Sequence, residues 1–228
     1  MKRLVFVCVF SLTAVSAIAQ FGTNRAAAAL TSTDVTKGLK EALTQGVTKG
    51  AQQVSKLDGY FKNPEIKIPF PAEIKLVETK LRTIGMGKQV DDFVLSLNRA
   101  AEDAAKEAAP IFVTAVKDMT IDDAFAILKG EQDAATQYLK KKTTPQLKEK
   151  FKPVVQASLN KVNATKYYGD MINSYNKIPF VTKVNPDLNA YATDKAIEGL
   201  FTMVAKEEKT IRKDPVARTT DVLKKVFK

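Results

Sequence analysis

The chain has 228 residues and a net charge of +11, from 36 Lys and Arg against 25 Asp and Glu, a length that suits one hydrophobic core rather than two. It contains no histidine, no tryptophan and one cysteine. Those absences exclude a Ser-His-Asp triad, a Cys-His pair, an imidazole metal site and an intrachain disulfide.

Lys2 and Arg3 precede an apolar run from Leu4 to Val15, and Ala17-Ile18-Ala19 is a small-x-small cleavage pattern. The order predicts a secretory signal peptide over residues 1–19, cut after Ala19, and so a periplasmic or secreted protein. The run is shorter than the about 20 residues that a spanning helix needs. Cys8 stands inside it behind Val7, the wrong place for a lipid-anchored cysteine. Cleavage removes Cys8 with Lys2 and Arg3 and lowers the net charge from +11 to +9. The mature chain then depends on its core alone, without disulfides.

Residues 20–32 read as a disordered leader, and residues 33–228 as a single helical domain. From Thr33 the apolar residues Val35, Leu39, Leu43, Val47, Val54 and Leu57 recur at helical spacing, with Ser32 or Thr33 as the cap. The same helix carries Gly38, Ala42, Gly46 and Gly50 at every fourth position. Interior glycines cost about 1 kcal/mol each relative to alanine, so the stripe implies a closely approaching backbone. Asn63 to Pro71 holds three prolines and alternating Ile66, Ile68 and Phe70, which predicts an extended segment. Pro71 then opens a helix faced by Ile74, Val77, Leu81 and Ile84, and Gly85-Met86-Gly87 is the following turn.

Lys88 to Met119 is the longest periodic stretch, with alanines at 100, 101, 104, 105, 108 and 109 and a kink or split at Pro110. The alanine face is the expected partner of the glycine stripe. Thr120 and Asp123 form a capping box, and Gly130 ends that short helix. Asp133 opens the next helix. Lys140-Lys141-Lys142-Thr143-Thr144-Pro145 is expected to be a boundary, with Thr144 as cap and Pro145 in first position. Leu147 to Val155, with a bend at Pro153, and a stripe of Tyr167, Tyr168, Met171, Ile172 and Tyr175 complete this half. Ile178-Pro179-Phe180 repeats Ile68-Pro69-Phe70, and the two extended segments are expected to pack together. Pro186 opens a long helix that Asp214-Pro215 stops, and Thr219-Thr220 begins a short final one. The fold class is therefore all-α: a single irregular helical bundle with two short extended Ile-Pro-Phe segments.

Phosphate loops, nucleotide fingerprints and metal-ligand spacings are missing, so no catalytic residue, metal or cofactor is assigned. Asn98, Arg99 and Glu102, joined by Tyr138, form the candidate polar ligand site, because Arg99 and Glu102 share a helix face amid packed alanines. Basic residues cluster at Lys140, Lys141, Lys142 and Lys148, and again at Arg212, Lys213, Arg218, Lys224 and Lys225. For an exported protein these point to anionic lipid or an acidic envelope polymer rather than nucleic acid.

Several motifs carry a resemblance. They are Asn98-Arg99-Ala100-Ala101-Glu102, Pro110-Ile111-Phe112, Met119-Thr120-x-Asp122-Asp123-Ala124, Asp133-Ala134-Ala135-Thr136-x-Tyr138 and Ala217-Arg218-Thr219-Thr220, with Asp58-Gly59-Tyr60 and Asn63 to Pro69. Together they resemble an uncharacterised exported bacterial helical family, domain of unknown function four-one-nine-seven. The resemblance implies a single exported helical domain and assigns no activity to any residue. Many members of that family look like lipoproteins, whereas this chain has no cysteine at the anchoring position. The favoured reading is a non-enzymatic binding or envelope-associated protein that docks on anionic surfaces. Its rivals are a carboxylate-based enzyme such as a hydrolase, using Arg99 and Tyr138, and a carrier of an apolar ligand between helices.

Overall fold

Helix α1, Ser32–Val54, begins where a threonine and an acid stand three residues apart. Thr31 Oγ1 accepts the Asp34 amide at 3.1 Å, and the Asp34 carboxylate accepts the Thr31 amide at 3.1 Å. The cap falls one residue before the expected Ser32 or Thr33, because only Thr31 has an acid at the reciprocal position. Thr120 and Asp123 build the same box at the start of α5, Ile121–Lys129, as expected, and Gly130 ends it. A computed structural model describes residues 31–177, 179–180 and 182–213, all within the second of the chain's two units, Thr31–Lys228. The expected signal peptide, the leader up to residue 30, the final short helix, and Arg218, Lys224 and Lys225 lie outside the described residues.

Among the described residues there are eight α-helices and no strand. Besides α1 and α5 these are α2 (Lys75–Thr83), α3 (Gly87–Ala105), α4 (Ala108–Lys117), α6 (Ala134–Asn160), α7 (Ala164–Tyr175) and α8 (Leu188–Lys213). Helices α3, α6 and α8 pack on one another, and α1 and α4 close the core from outside. Phe112 of α4 meets Phe201 of α8 edge to face at 5.6 Å between ring centroids. Helix α2 rests on α3, while α7 rests on α6 and α8.

The glycine stripe finds a partner other than the alanine face. A Cβ on Gly50 would lie 3.7 Å from Val204, and one on Gly46 would lie 3.2 Å from Ile211 Cδ1, so these two glycines face α8. The buried Ala100, Ala101, Ala104 and Ala105 belong to α3, which packs chiefly against α6 and α8. The separation follows from Pro110. It sits in the first turn of α4, where its ring excludes the helical carbonyl four residues back, at Lys106. The long periodic stretch is thus two helices with different neighbours.

Pro145 and Pro153, by contrast, leave α6 continuous for 27 residues, and the boundary expected at Lys140–Pro145 does not exist. The carbonyls that these prolines deprive of a donor belong to Lys141 and Glu149, both exposed, where water can replace the bond. Opposite them, Leu139, Thr143, Leu147, Phe151, Val155 and Leu159 are buried at every fourth position. That apolar row holds the helix straight enough to cross two prolines.

Residues 55–71 form turns and irregular chain rather than a strand. Ile66, Ile68 and Phe70 are buried, as their alternation predicts. Phe180 is fully exposed and has φ of 63°, so it does not pack on Phe70, and the expected pairing of the two phenylalanines fails. Ile68 has already given its amide and carbonyl to the Asn98 side chain, and Pro69 has no amide to offer. Ile178 and Val181 lie outside the described residues.

Tyr60, wholly buried, seals this segment against α8 by donating its hydroxyl to the Ala196 carbonyl. Gly199 makes the fit possible, since a Cβ there would come within 2.7 Å of the Tyr60 ring and 3.1 Å of Ile66 Cβ. Gly199→Ala is therefore expected to destabilise by about 1–3 kcal/mol through overpacking. Gly50→Ala meets only ordinary contacts and should be neutral or stabilising by up to about 1 kcal/mol. Urea unfolding midpoints of the two variants test the contrast.

Candidate functional site

Asn98 and Glu102 lie one turn apart on α3, and both side chains are buried. Asn98 Oδ1 accepts the Ile68 amide at 2.8 Å, while Nδ2 donates to the carbonyls of Ile68 and Val94 at 2.8 and 2.7 Å. Glu102 Oε1 accepts the amides of Tyr60 and Phe61 at 3.0 and 3.2 Å. Its Oε2 receives Arg99 at 2.6 Å, and Arg99 also donates to Asp58 at 2.7 Å. Two of the expected ligand residues thus hold residues 55–71 to α3 by satisfying backbone groups that a non-helical segment would bury unpaired. Arg99 bridges their carboxylate to Asp58, and its hydrogen bond holds the Asp58 carboxyl below the usual range.

Tyr138 joins a different group. It stands on α6, where burial and then the charges of Asp123 and Asp118 push its hydroxyl up, and Lys142 lies 5.7 Å from its ring centroid. The structure therefore assembles Asn98, Arg99 and Glu102 but not Tyr138 with them. Among the expected surface contacts, Lys140, Lys141, Lys142 and Lys148 are exposed along α6, and Lys213 is exposed at the end of α8. Lys148 pairs with Asp194 at 2.8 Å. Arg212 is drawn inward, with 13% of its side chain exposed, donating to Glu208 at 2.9 Å and to the Ile127 carbonyl at 2.9 Å.

Sequence reasoning missed Glu208. It reaches from α8 to accept the amides of Ala135 and Thr136, at 3.0 and 2.8 Å, and the Thr136 hydroxyl at 2.8 Å. It thereby caps the first turn of α6, whose own N-cap residue Asp133 makes no side-chain cap. The legible signal was an i,i+4 pair of Glu208 and Arg212 on the inward side of α8.

A groove of about 1040 Å³ runs between the α2–α3 hairpin and the α6–α7 corner. Leu81, Met86, Phe93, Tyr167 and Met171 line its apolar length and also the smaller hollow of about 110 Å³ that continues it. Met86 is 37% exposed and Tyr167 66% exposed, so the apolar surface is open to solvent. Phe93 stacks on Tyr168 at 6.1 Å and tilts on Phe70 at 5.2 Å, which fixes the floor. Arg99, Asp103, Ser158 and Lys161 line the polar end. Asp103 lies below the usual carboxylate range because it binds Lys106. Of the expected ligand residues only Arg99 reaches this groove. Among the described residues no group of three metal-ligating side chains occurs, and no helix is long and apolar enough to cross a membrane.

If Asn98 and Glu102 are internal clamps, replacing either removes stability. Asn98→Leu and Glu102→Leu should each cost about 1–3 kcal/mol per orphaned backbone group, read from chemical denaturation. Asp58 and Asp103 are both depressed from 3.8, so their contributions are present above that value and lost as pH falls through the lower folded values. Asp58→Asn should accordingly lose less stability than the parent between about pH 5 and pH 2.

No curated protein and no solved structure matches this chain. One family does, over residues 29–228, described as Protein of unknown function (DUF4197), and the chain belongs to that family.

Proposed function

We propose that this chain is an exported, non-enzymatic binding protein, and that the groove beside α3 takes a ligand with a long apolar part. The observation that carries this reading is the groove itself. Its volume of about 1040 Å³, open to solvent, slightly exceeds the range of about 300–1,000 Å³ usual for ligand pockets, and Leu, Met, Phe and Tyr side chains form most of its surface beside a minority of polar ones. Open apolar surface of this kind is unfavourable in water unless something covers it. The hydrolase reading is weaker, because Glu102 already spends both oxygens on two backbone amides and Arg99. Export rests on Lys2, Arg3, the apolar run to Val15 and Ala17-Ile18-Ala19.

The neutral fluorophore N-phenyl-1-naphthylamine should bind saturably to the folded protein. Met86→Asp and Tyr167→Asp place a charge at exposed groove positions and should abolish that signal with thermal unfolding unchanged. Equal fluorescence from parent and variants would refute the groove as the site. Native mass spectrometry of protein from its own envelope would then show whether a lipid is retained.

A second reading concerns α6. Lys140, Lys148 and Lys152 recur at multiples of four along one exposed flank, and Lys142 and Lys150 along the other. Such a helix suits reversible docking on an anionic bilayer, at about 1 kcal/mol per well-placed Lys. Co-sedimentation with anionic vesicles at low salt, lost near 1 M salt and absent with neutral vesicles, is the expected result. Equal sedimentation with neutral lipid would leave these lysines as a solubility feature.

A further inference from the structure

Four charged side chains line the groove, Asp92, Arg99, Asp103 and Lys161, and three of them are held in ion pairs. At the α2 end, Lys75 and Arg82 hold Glu78 at 2.7 and 3.1 Å, Arg82 also holds Asp91 at 2.8 Å, and Lys88 holds Asp92 at 2.6 Å. At the other end Lys62 and Arg99 share Asp58, Arg99 also holds Glu102, and Lys106 holds Asp103 at 2.8 Å. Lys161 is the remaining cation in the lining of that end. It is exposed, it forms no ion pair among the described residues, and it acts on Asp103 only through its field. The groove is lined mainly by apolar side chains, with Gln89, Asp92 and Ser96 between them, and among its lining residues Lys161 is the charge without an ion pair. Ala164, the first residue of α7, lines the same end, where the positive pole of that helix meets the negative pole of α6, whose C-cap is Lys161, so the ammonium itself is the net positive group.

We infer that the ligand of this groove is an anionic amphiphile, its acyl chain lying along Phe93 and Met171 and its acidic head at Lys161. The inference rests on the groove reading above and adds the ligand's polarity and direction. An uncharged hydrocarbon would leave the ammonium unused. A cationic amphiphile would place like charges together at the head end, or bury its head among the paired ions at the α2 end. An anionic head meets Lys161 at the rim, where it keeps partial hydration and the desolvation cost of a buried pair is avoided. A carboxylate and a phosphate satisfy this chemistry equally, so the head group is defined by charge and not by element.

The test titrates three probes of equal chain length against bound N-phenyl-1-naphthylamine: oleate, oleoyl lysophosphatidylglycerol and oleyl alcohol. Oleate, the phosphate lipid or both should displace the fluorophore at about fivefold lower concentration than the alcohol, the ratio that a good exposed ion pair provides. Whichever acid binds the tighter names the source of the head group. Lys161→Glu should erase that preference and leave the alcohol's affinity unchanged. Because it sets a like charge beside Asp103 and the carboxyl end of α6, Lys161→Gln is the second variant, which should weaken the preference while keeping the parent's unfolding curve. Equal affinity of acid and alcohol in the parent, or equal weakening of both by Lys161→Glu, overturns the assigned head while the groove stands. Failure of all three probes to displace the fluorophore overturns both readings. Sedimentation velocity supplies the last arm. A dimer that dissociates in Tyr167→Asp and ignores all three probes would mean that a second copy covers the groove, and would overturn the inference.

Discussion

The architecture depends on side chains in or at the ends of helices that complete backbone hydrogen bonds which irregular chain and helix starts leave open. Glu102 takes two amides of the 55–71 segment, Asn98 takes both backbone groups of Ile68, and Glu208 takes the first amides of α6. Asn176 does the same for Val184, accepting its amide at 2.9 Å and donating to its carbonyl at 2.8 Å. Each clamp sits where an irregular stretch enters the core, and each of the two glutamates is further neutralised by an arginine one turn or less away. A bundle built from apolar faces alone would leave these amides unpaired at a cost of about 1–3 kcal/mol each. Among the described residues no buried side-chain polar atom lacks a partner. The polar core is thus a complete network, and its members are poorly placed to serve a substrate.

Local signals were legible where the chemistry is local. The capping box at Thr120, the stop at Gly130 and the burial of Ile66, Ile68 and Phe70 follow from residues within a few positions of each other. Long-range choices were not. Nothing in the spacing of Gly38, Ala42, Gly46 and Gly50 distinguishes α8 from α3 as the partner, since both present small or recessed surfaces. Thr144-Pro145 has the form of a helix start, yet the apolar row from Leu139 to Leu159 outweighs it, because two exposed carbonyls can turn to water at little cost.

The candidate site was legible in the same uneven way. The clustering of Asn98, Arg99 and Glu102 was visible from their spacing on one helix face, but their targets lie 30 to 42 residues away in sequence. The groove left a fainter trace. Tyr167 and Met171 belong to a stripe that reads as a core face, and they line an open groove because α7 rests on α6 and α8 while α2 rests on α3 across the gap. An apolar stripe announces burial and does not say what provides it.

The seat of α1 on α8 has a consequence for the order of assembly. Gly50 and Val204 are separated by most of the chain, as are Tyr60 and Ala196, whose hydrogen bond spans 136 residues. Contacts so distant in sequence form late and slowly, because the loop between them must close first. During synthesis from the amino end, α1 has no companion for its glycine face until α8 has left the ribosome. Until then the contacts of α1 with α4 and of α3 with α6 can form, but the side of the core that α8 closes stays open.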